Sequence, residues 1–217
     1  MITLYAFRWV PEFAQGYVRD LRVRWALEEA GIAYSERLIG LEEKMSRDYL
    51  ALQPFGQVPA IEEDGRTLFE SGAIVLDIAR RSEALMPASG HGRARVEAWV
   101  FAALNSVEPV VGQLGEIDIF AAGEEWATAR RPAAVEAVAN RLDQLESWIG
   151  ERDHLEGGFS AGDLIMASVL RDLGHTDLVE RRPRLRAYLE RCLARPAFAR
   201  ALADQLRSFE GHAPAVA

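Results

Sequence analysis

Pro54-Phe55-Gly56-Gln57-Val58-Pro59-Ala60-Ile61 is the stretch whose reading decides the fold. A Val-Pro bond adopts the cis form at modest cost, and a cis bond turns the preceding backbone outward. There the Val58 N–H and C=O can pair with an extended ligand as an added strand would. Working outward, Asp64-Gly65 reads as a hairpin turn, and Leu68-Phe69-Glu70-Ser71-Gly72-Ala73-Ile74 follows it. Glu70-Ser71 ends a strand and opens a helix. The first N–H groups of a helix have no partner within it and suit an anion. Ser71 adds a hydroxyl, and Glu70 adds a carboxylate able to hold an ammonium. The implied ligand is extended and peptide-like, with an α-amino-acid head. Each motif has a plainer reading, a tight turn for Val58-Pro59 and a helix N-cap for Glu70-Ser71. Their conjunction favours the ligand.

The surrounding residues alternate element types. Ile2 to Phe7 and Tyr34 to Ile39 read as strands, and Val18 to Ala30 between them as a helix that stops at Gly31. Lys44 to Leu52 is a short helix closed before Pro54. Val58 to Glu62 and Thr67 to Phe69 flank the hairpin turn, and Ser71 to Ser82 closes the unit. The order is βαβ, helix, ββα. Pro59 suits the start of a strand and disfavours a central position in a sheet. Residues 83–92, with Pro87, Ser89, Gly90 and Gly92, read as a linker. Everything beyond reads as helical: Arg93 to Leu114, Glu124 to Arg152 with an interruption at Pro132, an apolar helix from Ser160 to Leu173, then Pro183 to Ala194 and Pro196 to Phe209. The tail 211–217 is expected to fray. Ser160-Ala161-Gly162-Asp163 is a capping box with Asp in its third helical position, a helix-nucleating device rather than a catalytic one.

Composition narrows the function. The chain has 217 residues, 49% hydrophobic, with 25 Lys and Arg against 33 Asp and Glu for a net charge of −8. An acidic chain without a basic stripe argues against nucleic-acid binding. No apolar run approaches the roughly 20 residues of a membrane helix, and Met1-Ile2-Thr3-Leu4-Tyr5 does not read as a secretory signal. The single cysteine, Cys192, cannot form an internal disulfide and reads as a buried small hydrophobe, consistent with a reducing cytoplasm. His91, His154, His175 and His212 have no partner at ligand spacing, so no metal is expected.

Four segments in order, Gln57-Val58-Pro59-Ala60, Glu70-Ser71-Gly72-Ala73-Ile74, Phe159-Ser160-Ala161-Gly162-Asp163 and Arg195-Pro196-Ala197-Phe198-Ala199-Arg200-Ala201, resemble the soluble glutathione transferase superfamily over nearly the whole chain. The resemblance implies an α/β plus all-α architecture. Residues 1–82 would form a thioredoxin-like glutathione-binding domain, 83–92 a linker, and 93–217 an all-helical domain. It implies glutathione as co-substrate and a transferase that adds the glutathione thiolate to a small hydrophobic electrophile, a cytoplasmic detoxification chemistry. It carries Val58 over as the residue that pairs with the cysteinyl backbone beside a cis Pro59. Glu70 and Ser71 become the pair that grips the γ-glutamyl amine and carboxylate, with Gln57 near the glycyl end. Lys44 could reach the glycyl carboxylate, or it is a solvated surface lysine. Relatives form homodimers, and in some of them the partner's first long helix contributes polar residues to the site. Asn105 and Ser106 fall near that region, where they also read as ordinary helix-surface residues.

The thiolate activator is harder to place. A hydroxyl beside the sulfur favours the thiolate by hydrogen bonding to the charged form. The resemblance points to a strand tyrosine, whose place falls near Ala6, or to a Ser or Cys six positions before the equivalent of Val23, which here is Tyr17. There is no Ser or Cys from Phe7 to Tyr34, and Phe7 to Gly16 looks like an insertion relative to common members. Tyr17 is therefore the candidate, aided by a helix start, although it could instead pack against the second domain. Arg8, Arg19 or a backbone N–H are alternatives. Trp9, Val10 and Phe13 could line an apolar pocket for the electrophile. The runner-up function is a non-catalytic glutathione-binding or protein-interaction module on the same fold.

Overall fold

The computed structural model describes residues 1–213, so the last four residues of the expected frayed tail lie outside it. In chain order the elements are β1 (Ile2–Phe7), α1 (Asp20–Ala30), β2 (Tyr34–Ile39), α2 (Arg47–Leu50), β3 (Ala60–Glu63), β4 (Arg66–Phe69), α3 (Ser71–Ala79), α4 (Gly90–Ala102), α5 (Glu108–Gly115), α6 (Glu125–Ile149), α7 (Ala161–Arg171), α8 (Pro183–Leu193) and α9 (Pro196–Phe209). They form two compact units: Met1–Leu85 together with the segment that begins at Arg195, and Met86–Ala194.

The first unit is built on a four-stranded sheet of order β2-β1-β3-β4. β1 and β2 run parallel, and the other pairs are antiparallel. This is the thioredoxin-like arrangement that the βαβ, helix, ββα order requires. Asp64 (φ 51°) and Gly65 (φ 76°) make the two-residue hairpin turn, both left-handed as that tight turn demands. Both faces of β1 are buried. Ile2, Leu4 and Ala6 alternate with Tyr5 and Phe7, and the latter two pack with Ile39, Tyr49, Leu52, Val58, Ala60 and Phe69. β3 is an inner strand, contrary to the expectation from Pro59. Pairing begins only at Ala60, so the missing proline N–H costs the ladder nothing.

The division differs from the sequence reading in two ways. Residues 90–92 already belong to α4, with Ser89 accepting from the Gly92 N–H, so the linker is shorter than 83–92. And α9 belongs to the first unit rather than to the helical one, because its buried side meets α1. The Trp25 and Phe198 rings are 4.8 Å apart, Arg195 makes a two-pronged ion pair with Glu29 (2.6 and 2.8 Å), and Arg200 reaches Glu28.

The regular elements of the second unit are all helices. α4 and α5 are joined by a π turn over Ala103–Val107. Pro109, in the first turn of α5, has no N–H to offer the carbonyl four residues back, and the helix widens just before it. α6 runs through Pro132 without the expected interruption. Ala127, Ala134, Val138, Leu142, Leu145 and Ile149 are buried on both sides of the proline, and that packing outweighs a helix-interior cost of about 3 kcal/mol. α7 carries the expected capping box: the Ser160 N–H donates to Asp163 Oδ2 at 3.0 Å, and Ser160 Oγ takes part in the same corner. Cys192 is buried.

Candidate functional site

The β3–β4 register builds the site. Ala60 lies opposite Phe69, so the chain just before β3 and the chain just after β4 emerge together at one end of the sheet. Those flanking residues are Val58-Pro59 and Glu70-Ser71. Tyr5 lies opposite Ala60, so β1 ends there too. The Val58–Pro59 bond is cis. The Val58 peptide precedes the first ladder pair, and the hydrogen bonds of the described loops do not engage it.

The loop before Val58 is fixed by two side chains that sequence reasoning missed. Gln53 is buried, and its Oε1 accepts from the backbone N–H of Phe55 (2.7 Å) and of Gln57 (3.3 Å). The Tyr49 hydroxyl donates to the Gln57 carbonyl at 2.6 Å, and burial pushes its pKa well up, which keeps the donor proton in place. Gln57 itself is exposed. Gly56 has φ +62°, and a Cβ built there would come within 2.7 Å of Met45 Sδ and 3.0 Å of the Lys44 carbonyl. Glycine is favoured on both counts. That close approach also places the Lys44 backbone beside the 56–57 segment. Lys44 sits in a short 3₁₀ turn, Glu43–Met45, rather than in the expected continuous helix, and its ammonium lies 5.9 Å from the centre of the Phe7 ring.

At the second motif Glu70 takes φ 69°, ψ 116°, a backbone conformation costly for a residue with a Cβ. It occupies the N-cap position of α3, yet its side chain makes no capping hydrogen bond. Glu70 is exposed, whereas Ser71 is buried in the first turn of the helix. An outward carboxylate beside an inward hydroxyl at a helix N-terminus offers one anchor for a cation and another for an anion. Behind them lies Arg22, also missed by sequence reasoning. It is 4% exposed, and its Nη1 is 3.4 Å from Ser71 Oγ. The first turns of α1 and α3 are thereby joined at this end of the sheet.

The loop 8–19 leaves from the same end. The Arg8 N–H donates to the Ile39 carbonyl at 2.8 Å, and Gln15 Nε2 donates to the Val10 carbonyl at 3.1 Å. Glu12–Ala14 form a single 3₁₀ turn, and the Tyr17 N–H then donates to the Ala14 carbonyl at 3.0 Å. Tyr17 is 46% exposed. α1 starts at Asp20, two residues later than expected, so Tyr17 precedes the helix and does not sit on its first turn. The support expected from the helix dipole is correspondingly reduced. Val10 is 6% exposed, Trp9 is half-buried and Phe13 is exposed. Gln205 of α9 donates from Nε2 to the Val18 carbonyl (3.0 Å) and to Asp20 Oδ1 (2.8 Å), tying down the junction of loop and helix. The Tyr5 hydroxyl is committed to Glu62 Oε2 at 3.1 Å.

Asn105 and Ser106 lie in the second unit, exposed on the π turn. Among the described residues, no group of three or more His, Cys, Asp or Glu side chains is placed to hold a metal ion, and no helix is long and apolar enough to cross a membrane.

Comparison with known proteins places this geometry. Residues 13–80 match the glutathione S-transferase N-terminal domain. Glutathione S-transferase 3 of Zea mays is 30% identical over 198 residues, 84% of this chain and 88% of its own. Glutathione transferase F7 from Populus trichocarpa superposes with a TM-score of 0.81 at 26% identity, covering 95% of this chain and 99% of that one. A glutathione transferase from Burkholderia graminis, whose structure holds two glutathione molecules per subunit, gives a TM-score of 0.79 at 26% identity over 93% of this chain and 87% of its own. The chain belongs to the glutathione S-transferase superfamily.

Proposed function

We propose that the first unit binds glutathione across Val58 and the Glu70-Ser71 corner and that the enzyme adds its thiolate to a small hydrophobic electrophile. The observation that carries this reading is the β3–β4 register, which sets the peptide-pairing segment beside the amino-acid-head segment. The Val58 peptide pairs with the cysteinyl backbone. Glu70 takes the γ-glutamyl ammonium, and Ser71 with the α3 N-terminus takes its carboxylate. Gln57 and Lys44 serve the glycyl end. Sulfur then forms a bond to the electrophilic carbon. The electron pair of the broken bond leaves with the displaced group or, in an addition, moves onto the activated double bond, which later takes a proton. Tyr17 is assigned the hydrogen bond to the thiolate, because loop 8–19 offers no other side-chain hydroxyl. Trp9 and Phe13, on the same loop, contribute apolar surface for the electrophile.

The homodimer and the cytoplasmic, detoxifying role belong to the same proposal. Phe55 is 65% exposed beside the site, an aromatic suited to a partner subunit, and Asn105 and Ser106 are open to one. The absence of Ser and Cys between Phe7 and Tyr34 favours one second reading, a glutathione-binding module without turnover.

The test is a glutathione titration that follows thiolate absorbance, with a panel of electrophiles, on wild type and Tyr17→Phe. The variant is expected to bind glutathione normally, to raise the bound thiol's pKa by about one to two units, and to lose about 10- to 100-fold in turnover at neutral pH. An unchanged thiol pKa removes Tyr17 from the role. Binding by wild type with no turnover on any electrophile supports the module, and no binding at all ends the proposal.

A further inference from the structure

Arg22 is a charged residue that nothing in the proposed glutathione contacts accounts for. It lies in α1, where a run of eight residues, Asp20 to Leu27, is buried. A guanidinium removed from water is costly unless its N–H groups meet acceptors and its charge is balanced. Here one N–H is directed at Ser71 Oγ, 3.4 Å away.

A guanidinium donates and never accepts. The Ser71 oxygen must therefore be the acceptor in this contact, which leaves its own hydrogen to be presented elsewhere. A serine biased in that sense presents its hydrogen. It suits a carboxylate oxygen and is a poor partner for an ammonium. The positive charge behind it acts in the same direction as the α3 N-terminus. An anion bound at Ser71 would lie one hydrogen bond beyond the oxygen that Arg22 touches.

We infer that Arg22 is a positioning and specificity residue for the ligand's α-carboxylate, orienting the Ser71 hydroxyl as a donor and supplying charge from behind it. The inference rests on the glutathione reading and deepens it: Ser71 and the helix terminus provide the contact, and Arg22 makes that contact selective for an anion. Glu70, outward and free of a capping role, is left to the ammonium, so the two ends of the amino-acid head are sorted by charge.

The experiment compares two peptides that differ only at that head: glutathione, and γ-aminobutyryl-cysteinyl-glycine, which lacks the α-carboxylate. Their dissociation constants are measured on the full-length protein by calorimetric titration, for wild type, Arg22→Gln, Arg22→Lys and Ser71→Ala. Wild type is expected to prefer glutathione by about tenfold or more, the scale of a charge-assisted hydrogen bond. Arg22→Gln is expected to weaken glutathione about tenfold while leaving the truncated peptide within about twofold. Arg22→Lys, which keeps the charge but not the planar fork, should fall between, and is read in the same pair of titrations if Arg22→Gln does not fold. A purely structural Arg22 would weaken both peptides alike, and that result overturns the inference while glutathione binding by wild type still stands. If wild type binds neither peptide, the glutathione reading falls and this assignment falls with it.

Discussion

The ligand corner, residues 53–71, and the loop 8–19 meet at the same end of the sheet but are held in different ways. The corner is held mostly by near neighbours, with Arg22 behind Ser71 the exception. Gln53 secures the backbone of Phe55 and Gln57, Tyr49 secures the Gln57 carbonyl, and the hairpin register sets Val58 beside Ser71. The loop has short turns of its own, but its two ends are held from afar. Arg8 joins the end of β2, and its junction with α1 is tied by Gln205, 187 residues away from Val18. A segment held by its own residues carries its shape in its own sequence. One held by distant side chains does not, and on the proposed function most of the recognition falls in the first kind of segment and the reactivity in the second.

The largest expected effect tests the corner. Ser71→Ala should weaken glutathione about 10- to 100-fold, the equivalent of one hydrogen bond to a charged group. The thermal midpoint should fall by a few degrees, because the buried Arg22 guanidinium loses the Ser71 Oγ acceptor, although alanine is a good helix former. Calorimetric titration and a melting curve on the same preparation decide it. Unchanged affinity would mean that the legible half of the site is not where the ligand is held.

A smaller effect tests the loop. Gln205→Leu keeps the volume but removes both donors, to the Val18 carbonyl and to Asp20, and leaves those acceptors buried. Urea unfolding should show a loss of about 1–3 kcal/mol. Glutathione affinity should stay within about twofold while turnover falls several-fold, since the hydrogen bonds that fix Phe55 and Gln57 and the hairpin register do not involve α9. An equal fall in affinity and turnover would show that the two regions are one mechanical unit.

The same contrast explains what the sequence revealed. The strands Ile2–Phe7 and Tyr34–Ile39, the helix Pro196–Phe209, the hairpin turn and the capping box could all be read from local pattern and turn chemistry, and the structure has them. The membership of α9 in the first unit could not, because Phe198 against Trp25 and Arg195 against Glu29 are pairings across the length of the chain. Nor could the burial of α1. Asp20, Arg22 and Arg24 are charged, yet all three lie inside, with Arg24 paired to Asp20 and Glu36. Arg22 was therefore invisible as a site residue, although Arg22-Val23-Arg24 stands in plain view. Pro132 misled for the opposite reason. A strong local signal for a break was overridden by a buried stripe that continues on both sides of it.

The smallest expected effect sharpens the comparison from the strand side. Tyr5 is the hydroxyl nearest in sequence to the loop, and its ring is packed 5.8 Å from that of Tyr49. Burial, and then the Glu62 carboxylate that accepts its proton, raise its pKa. A raised folded pKa means that the neutral hydroxyl contributes stability below the unfolded value of about 10, and that this contribution is lost as pH rises through the folded value. Tyr5→Phe should therefore make the alkaline loss of stability less steep than in wild type, read by urea unfolding at a series of pH values. It should leave the bound thiol's pKa and the turnover within about twofold, because that hydroxyl is already spent inside the sheet. A raised thiol pKa in Tyr5→Phe would locate activation on the strand rather than in the loop. Recognition and reactivity would then share the locally specified part of the molecule, and the contrast between the two regions would no longer describe how the site is divided.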